Sequence, residues 1–255
     1  MSDERIDHIA NERKESDCSD NSVNSDLIEN NKETNKQSGC GNNPYEKKGF
    51  GYGCYLFFKR IFDIISSFLF LVLFSWLILL CLLIKFSEDF HNPVYVSERV
   101  GKNGKIFKFY KIRSMRPDAE KMKEQLIAQG LNEADPPAFK MKNDPRVTKF
   151  GKFLRKTSLD EILQFINVLN GTMSIVGPRP PLPEEVEKYT DYQKQRLNVK
   201  GGLLCLWQIQ KNRNAVSFDE WVESDLLYIK EQGVLMDLKI MIKGVFAVLF
   251  DHSGE

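Results

Sequence analysis

The sequence predicts a helix-rich α+β protein in which an N-terminal re-entrant or single-span membrane helix precedes a small globular domain with a β-hairpin and interfacial amphipathic helices. Three observations support this fold class: one long apolar run, two β-rich segments separated by a glycine-bounded turn, and several later segments with helical periodicity. We expect three parts: a disordered extension over residues 1–52, a membrane helix or hairpin over 53–86, and a membrane-associated domain over 87–255.

The composition excludes some classes of protein. The 255 residues include 36 basic and 35 acidic side chains, for a formal net charge of +1. This balance argues against a nucleic-acid partner held by bulk charge. The five cysteines form no C-x-x-C pair, which argues against a zinc site and is typical of a reducing compartment. Residues 1–52 are polar and hold few large apolar side chains, so they bury too little surface to offset their ordering entropy.

The run over residues 61–84 carries a single charge, Asp63. At about 1.5 Å per residue, a helix of this length could cross a hydrocarbon core of about 30 Å; a buried core helix is the alternative. Basic residues precede the run at Lys59 and Arg60 and also follow it between Arg99 and Lys123. The positive-inside rule places both flanks in the cytoplasm, which favours a re-entrant hairpin over a single span.

The remaining elements follow from local patterns. Residues 94–100 and 105–112 predict a hairpin around the turn at 101–104, and helices are predicted over 119–129, 158–169 and 217–231. Ser217 and Glu220 have the spacing of a capping box. A C-terminal apolar stripe fits either a helix in the membrane interface or a core helix. The stripe consists of Leu238, Met241, Ile242, Val245 and Leu249.

An acidic pair in the segment RKTSLDEILQF (155–165) is the strongest candidate for chemistry. Ser158 is predicted to cap a helix whose first turn holds Asp160 and Glu161, where backbone N–H groups and the helix dipole favour negative charge and bound phosphate. A carboxylate in this position is expected to stay ionised and to act as a nucleophile or to hold Mg²⁺. The alternative is an ordinary capping box formed by Ser158 and Glu161.

A proline-rich loop follows at IVGPRPPLP (175–183). Prolines fix φ, so the loop is expected to be stiff and to present Arg179 with little entropy left to lose, as a phosphate clamp requires. Lys111 and Arg113 add further cations. A structural turn with a solvent-facing arginine is the alternative.

Several segments together resemble the bacterial sugar transferase family, the monotopic polyprenyl-phosphate phosphoglycosyl transferases. They are FKFYKIRSM (107–115), the stretch from DPRV to GPRP (144–180) and the stretch from SFDEW to DLKIM (217–241), while KRIFDIISS (59–67) resembles the start of the family's membrane helix. The resemblance implies an enzyme that transfers a sugar 1-phosphate from a UDP-sugar to undecaprenyl phosphate, releases UMP, uses Mg²⁺ and initiates polysaccharide or glycoconjugate synthesis. It further implies a catalytic domain on the cytoplasmic face of the bacterial inner membrane, in contact with membrane lipid.

The resemblance also implies roles for individual residues. Asp160 matches the aspartate nucleophile of the family, Glu161 matches the glutamate that holds Mg²⁺, and Arg155 and Arg179 match phosphate-binding positions. Lys111 and Arg113 lie in the matching basic strand. A later loop is expected to bind the nucleotide or the sugar. The matching residues of that loop are Trp207, Gln208, Arg213 and Asn214.

The chain departs from the family pattern in two places. Ser75-Trp76 stands where members commonly have Ser-Pro, so the proline that would kink the membrane helix is absent, although Ser75 can bend a helix by bonding to the backbone. Gly201, Leu204 and Cys205 replace Pro, Thr and Gly. A non-catalytic membrane-anchored scaffold or regulatory subunit that keeps the transferase fold is therefore the alternative function.

Overall fold

Two apolar helices begin the computed structural model, which describes residues 49–131, 141, 144–209 and 217–250. Helix α1 is Phe50–Leu73 and helix α2 is Ser75–Asp89, and the two are bent by 61° at Phe74. Within these described residues no single helix has the length and apolarity to cross a bilayer, whereas the bent pair together meets both criteria. The apolar run predicted from the sequence is thus a broken helix, and its first helix begins three residues before the predicted boundary at 53.

The break occurs without proline. The Ser75 hydroxyl donates a hydrogen bond to the Val72 carbonyl oxygen at 2.9 Å. This is the bond from Ser75 to the backbone that the sequence suggests, and it gives a carbonyl at the end of α1 an alternative partner.

The predicted hairpin is confirmed. Strand β1, Val94–Val100, pairs antiparallel with strand β2, Ile106–Ile112, and Tyr95 lies opposite Lys111. The connecting turn contains Asn103 at φ +58° and Gly104 at φ +76°, the left-handed region that asparagine and glycine tolerate best.

The other elements follow in chain order. Helices α3, α4 and α5 are Ala119–Ala128, Lys149–Lys156 and Gln164–Leu169. Strands β3, Met173–Val176, and β4, Gly201–Leu204, pair in parallel, and short helices α6, Pro183–Val186, and α7, Asp191–Lys194, lie between them in sequence. Helix α8, Phe218–Glu231, has the predicted capping box at Ser217, and helix α9 is Val234–Phe250. The architecture is therefore the predicted helix-rich α+β class with a small hairpin.

Two apolar clusters form the core. One joins β3 to α8 and α9 through Met173, Leu226 and Ile240. The other joins β2, α4 and the 159–166 segment to the broken helix, whose Phe70 ring stacks on Phe165 with 4.0 Å between centroids. One side of the broken helix therefore packs on the globular domain, while its other side leaves large apolar side chains exposed. Among the exposed residues are Phe57, Phe58, Phe62, Phe68, Leu73, Trp76, Leu79 and Leu83.

Polar side chains fasten the start of α1 to the domain. The Lys59 ammonium lies 2.6 Å from the Asp237 carboxylate, and Arg60 donates to the Val168 and Leu169 carbonyl oxygens at 2.6 and 2.7 Å. The buried Asp63 carboxylate accepts a hydrogen bond from the Ile175 backbone N–H at 3.1 Å. In the sequence, Lys59 and Arg60 indicate a charged flank and the start of the motif KRIFDIISS, and neither pattern predicts these tertiary contacts.

The end of α2 binds the same domain. The Asp89 carboxylate lies 2.5 Å from the Arg113 guanidinium, directly after β2, and the Lys85 ammonium contacts the Thr148 hydroxyl at 3.4 Å before α4. Both ends of the broken helix are therefore fastened to the same globular unit on which its inner side packs.

The C-terminal stripe is exposed in large part. In α9, Ile240 is fully buried, whereas the side chains of Leu238, Ile242 and Val245 are about half exposed. Of the two alternatives for the stripe, core packing therefore does not apply to these three side chains, whereas Met241, next to Ile240, packs against the core. The side chain of Leu249 lies outside the described residues.

Candidate active site

The acidic pair lies on a single turn of 3₁₀-helix, Leu159–Glu161, between α4 and α5. Ser158 precedes this turn at φ +56°, a left-handed conformation, and its hydroxyl makes no capping hydrogen bond. The predicted continuous helix over 158–169 with a serine cap is therefore wrong. A capping serine has an extended backbone, and the left-handed backbone of Ser158 instead turns the chain sharply, so that Asp160 and Glu161 face the end of β2.

Lys111 connects the two carboxylates. Its ammonium lies 2.6 Å from Glu161 Oε1 and 3.8 Å from Asp160 Oδ2. The lysine stands near the open end of the hairpin, and its ammonium also lies 5.6 Å from the centroid of the Phe109 ring. The hairpin thus brings a cation to a pair of acids that are about fifty residues away in sequence.

Arg179 approaches the same glutamate from the opposite loop. Its Nη1 lies 3.7 Å from Glu161 Oε1. The loop leaves β3 at Gly177, where an added Cβ would lie only 2.5 Å from the Lys200 carbonyl oxygen. The Arg179 carbonyl oxygen accepts a hydrogen bond at 3.3 Å from Arg196, which also forms a buried ion pair with Asp225. The predicted stiffness of this loop therefore has a tertiary cause besides its prolines.

Arg155 lies on α4, one turn before the acidic pair. Its Nε donates to the Ser114 hydroxyl at 3.0 Å, and its charge is among those that lower the pKa of Asp160. Gly151 permits this arrangement, because a Cβ there would lie 1.8 Å from the Ser114 carbonyl oxygen. The close packing of α4 on the residues after β2 sets the position of Arg155.

The two carboxylates have different protonation tendencies. Burial raises the pKa of Asp160, and Glu161 adds to the rise, while Lys111, Arg155 and Arg179 oppose it; the net pKa lies above the ordinary value. Burial also raises the pKa of Glu161, but Lys111, Arg179 and the neighbouring Gln164 side chain outweigh it, so that its net pKa is lowered. Asp160 is therefore protonated more readily than Glu161, because it is deeply buried and the glutamate holds the nearer cation. The expectation that both acids are ionised stays a prediction.

Other predicted site residues lie elsewhere or outside the described residues. Arg113 is paired with Asp89. Trp207 packs on Trp221 with 4.9 Å between ring centroids, and the Gln208 side-chain oxygen accepts from the Cys205 backbone N–H at 3.0 Å. Gln208 thus supports the turn after β4. Arg213 and Asn214 lie outside the described residues.

Two residues near the site were missed. Gln164 is buried against Glu161, and its position three residues after that glutamate in an amphipathic segment was the available signal. Arg99 donates to the Pro180 carbonyl oxygen at 3.1 Å, and burial together with the neighbouring Arg179 lowers its pKa to about 10. Arg99 was noticed only as part of the basic flank after the apolar run.

The carboxylate oxygens of Asp160 and Glu161 suit a magnesium ion that is also bound by substrate phosphate. Among the described residues no group of three or more His, Cys, Asp or Glu side chains is placed to hold a metal. Mg²⁺ is usually held by one or two carboxylates together with substrate phosphates and water, not by a cage made only of protein. Asp160 and Glu161 are adjacent carboxylates beside cations that suit phosphate, so they fit a magnesium ion that arrives with a phosphate-bearing substrate.

The protein is thus a globular domain that carries a broken apolar helix on one side. Inside the domain, two adjacent carboxylates lie near the cations Lys111, Arg155 and Arg179. The family model for bacterial sugar transferases matches residues 54–251, so the chain belongs to the bacterial sugar transferase family. The resemblance stated from the motifs is thereby confirmed.

Curated relatives agree with this membership. The galactosyl transferase CpsE of Streptococcus agalactiae serotype III is 43% identical over 211 residues, which cover 83% of this chain and 46% of that protein. The undecaprenyl-phosphate galactose phosphotransferase of Salmonella typhimurium is 41% identical over 200 residues, covering 76% of this chain and 40% of that protein. The exopolysaccharide production protein ExoY of Rhizobium meliloti is 39% identical over 204 residues, covering 77% of this chain and 87% of that protein. The chain therefore spans less than half the length of the first two relatives and most of the length of ExoY.

Proposed function

We propose that this protein transfers a sugar 1-phosphate from a UDP-sugar to undecaprenyl phosphate, releases UMP, and so initiates polysaccharide or glycoconjugate synthesis. The observation that carries the proposal is the adjacent pair of the buried Asp160 and the half-buried Glu161, with Lys111 and Arg179 in contact. Relatives named as an undecaprenyl-phosphate galactose phosphotransferase and as a UDP-glucose:undecaprenyl-phosphate glucose-1-phosphate transferase support the choice of donor and acceptor.

The reaction is a double displacement at phosphorus. A carboxylate oxygen of Asp160 attacks the sugar-bearing phosphorus of the donor, and the bond to the bridging oxygen breaks so that UMP leaves. An oxygen of undecaprenyl phosphate then attacks the same phosphorus, which restores the Asp160 carboxylate and forms the lipid-linked diphosphosugar. The covalent intermediate divides one difficult displacement into two.

The surrounding residues serve these two steps. Lys111 favours the ionised form of Asp160, which burial disfavours. Arg155 and Arg179 bind the phosphates and offset the charge of the transferring group, since fixed cations in a dry site act without reorganisation. Bound Mg²⁺, held by Glu161 and the donor phosphates, would neutralise further charge on the diphosphate.

The broken helix is proposed to dip into the cytoplasmic leaflet and return. Two features support this: its ends are fastened to the same globular domain, and its outer side exposes large apolar side chains. This re-entrant placement sets the acidic pair near the membrane surface on the cytoplasmic side of the inner membrane, where the phosphate of a polyprenyl lipid resides.

The first test is the variant Asp160→Asn, assayed as UMP release in membranes that contain undecaprenyl phosphate and a panel of UDP-sugars. We expect turnover to fall by at least about 10⁴-fold, because the amide is not a nucleophile for phosphorus. Asp191→Asn, at a fully exposed aspartate, is the matched control and should behave as wild type. Turnover by Asp160→Asn at the wild-type rate would contradict a mechanism in which Asp160 is the nucleophile. A wild-type protein that is inert with every donor would favour the scaffold alternative.

A further inference from the structure

A cavity of about 230 Å³ lies between the start of α1 and the domain. It is smaller than the roughly 300–1,000 Å³ typical of small-molecule sites, so a nucleotide sugar does not fit it well. Its polar lining includes four cations, Lys59, Arg60, Lys102 and Lys200, and one carboxylate, Asp63. The lining is therefore strongly cationic although the whole chain is nearly neutral.

Two of these cations have no carboxylate partner. Lys59 is neutralised by Asp237, and Arg60 donates to two backbone carbonyl oxygens. Within the described part of the chain, Lys102 and Lys200 have no acidic group within ion-pair distance. Asp63 is the one carboxylate among the lining residues, so positive charge exceeds negative charge in the recess, which favours a bound anion.

The cations crowd one another. Burial lowers the pKa of Lys200, and nearby Arg60 and Lys102 lower it further against the opposing effect of Asp63. A Cβ at Gly171 would lie 3.1 Å from Arg60 Nη2 and 3.7 Å from Lys200 Nζ, so both side chains reach the same glycine. A bound anion would relieve this repulsion.

The cavity is separate from the acidic pair. Lys102 lies on the hairpin turn, just beyond the last strand pair, Val100 and Ile106. Lys111 is paired with Tyr95, five residue pairs from that turn. At about 3.4 Å per residue the two ends of the hairpin are about 17 Å apart. The charged neighbours of Lys200 are Arg60, Lys102 and Asp63, and those of Asp160 are Lys111, Glu161, Arg155 and Arg179.

Its position indicates the ligand. The lining residues Tyr52, Leu56 and Lys59 lie in the first turns of α1, and the outward-facing Phe57, Phe58 and Phe62 lie beside them in the same helix. A helix that carries apolar side chains into lipid has its polar start at the depth of lipid headgroups. We propose that this cavity binds a phosphate group, as carried by an anionic phospholipid headgroup or by free phosphate, through Lys102, Lys200 and Arg60.

The test compares Lys102→Gln/Lys200→Gln with Lys105→Gln/Lys108→Gln, which removes the same charge from the same hairpin region at exposed positions outside the cavity. The delipidated full chain in detergent is titrated with phosphatidylglycerol or phosphatidylcholine and followed by native mass spectrometry, and separately with inorganic phosphate followed by ³¹P NMR. We expect wild type and the control to retain phosphatidylglycerol, and the cavity variant to bind it about tenfold more weakly, as for loss of a charge-assisted hydrogen bond.

The two arms separate the sources of phosphate. Preference for phosphatidylglycerol that only the cavity variant loses assigns the site to a lipid headgroup. Binding of inorganic phosphate that only the cavity variant loses, without a lipid preference, assigns it to phosphate from solution. The single variant Lys102→Gln, at an exposed turn residue, must show part of the loss. Equal binding by wild type and the cavity variant in both arms, or an equal loss in the control, would overturn the proposal.

Discussion

At the residue scale, the main feature is that the adjacent carboxylates of Asp160 and Glu161 have pKa values shifted in opposite directions. Lys111 lies close to Glu161 and farther from Asp160, so the glutamate is held ionised while burial acts on the aspartate. Two acids with opposite shifts of pKa in one site are typical of sites in which the acids have different tasks. The proposed mechanism requires an ionised Asp160, so we expect its raised pKa to limit the reaction at low pH.

This leads to a prediction for Lys111→Met. The lysine lowers the pKa of Asp160, so its removal raises that pKa further, and the acid limb of the pH–rate profile moves to higher pH. Turnover at the optimum should also fall, by about 100-fold, because a fixed cation is lost from the site. The profile of UMP release against pH measures both effects. Lys108→Met, at an exposed position on the same strand, is the control; an acid limb in Lys111→Met that stays in place or moves to lower pH would contradict the assignment.

The sequence predicted the identity of the site residues better than their geometry. Asp160, Glu161, Lys111, Arg155 and Arg179 were singled out by charge, by loop chemistry and by family resemblance. The left-handed backbone of Ser158 was not predicted, because a serine three residues before a glutamate matches a capping box equally well. The pairing of Arg113 with Asp89 joins elements that are distant in sequence, and no local pattern indicates it.

At the scale of elements, the position of α4 depends on one close backbone approach. Gly151 lies against the Ser114 carbonyl oxygen, and the same helix carries Arg155, which binds the Ser114 hydroxyl. Because α4 leads directly into the 3₁₀ turn of the acidic pair, any shift of this helix moves the site.

We therefore predict that Gly151→Ala destabilises the protein by about 1–3 kcal/mol, since its methyl group would lie 1.8 Å from a backbone oxygen. The rate of UMP release should also fall in Gly151→Ala, because the shift of α4 displaces Arg155. In Gly53→Ala, in α1, the added Cβ would meet nothing within 4 Å apart from its chain neighbours and the backbone of its own helix, so the change should be neutral or stabilising by about 0.5–1 kcal/mol. Thermal unfolding in detergent compares the two variants, and an unchanged midpoint for Gly151→Ala would show that the close approach is not required.

The elements were largely predictable from periodicity, and the exceptions have physical causes. The hairpin, α3 and α8 follow their predicted bounds within one residue at each end. The apolar run shows where α1 and α2 are but not that they bend at Phe74, because the usual proline signal is missing and the serine bond is visible only in the structure. The exposed side of α9 was left open by the sequence, since an apolar stripe fits lipid and core equally well.

At the scale of the whole molecule, the fastening of both ends of the broken helix decides the expected topology. Lys59, Arg60 and Asp63 bind the domain at one end, and Lys85 and Asp89 bind it at the other. A helix that spanned the bilayer would separate these two sets of contacts by the hydrocarbon thickness of about 30 Å. The re-entrant placement keeps all of them.

Cysteine labelling tests this topology. In a cysteine-free background, Gly51→Cys and His91→Cys place single thiols at exposed positions beside the two ends of the broken helix. We expect both to be protected from a membrane-impermeant maleimide in intact cells and both to react after the membrane is opened. Labelling of the residue 51 position from outside, with residue 91 protected, would establish a single span and contradict the re-entrant placement.

The central claim is that Asp160 accepts the sugar phosphate covalently, and the most direct measurement is the intact mass of the purified protein after incubation with Mg²⁺ and UDP-sugars in the absence of lipid acceptor. We predict one added sugar phosphate per chain, mapped by peptide analysis to Asp160, absent from Asp160→Asn and discharged when undecaprenyl phosphate is added. Release of UMP and formation of the lipid product without any adduct on the wild-type chain, or an adduct that persists in Asp160→Asn, would contradict it.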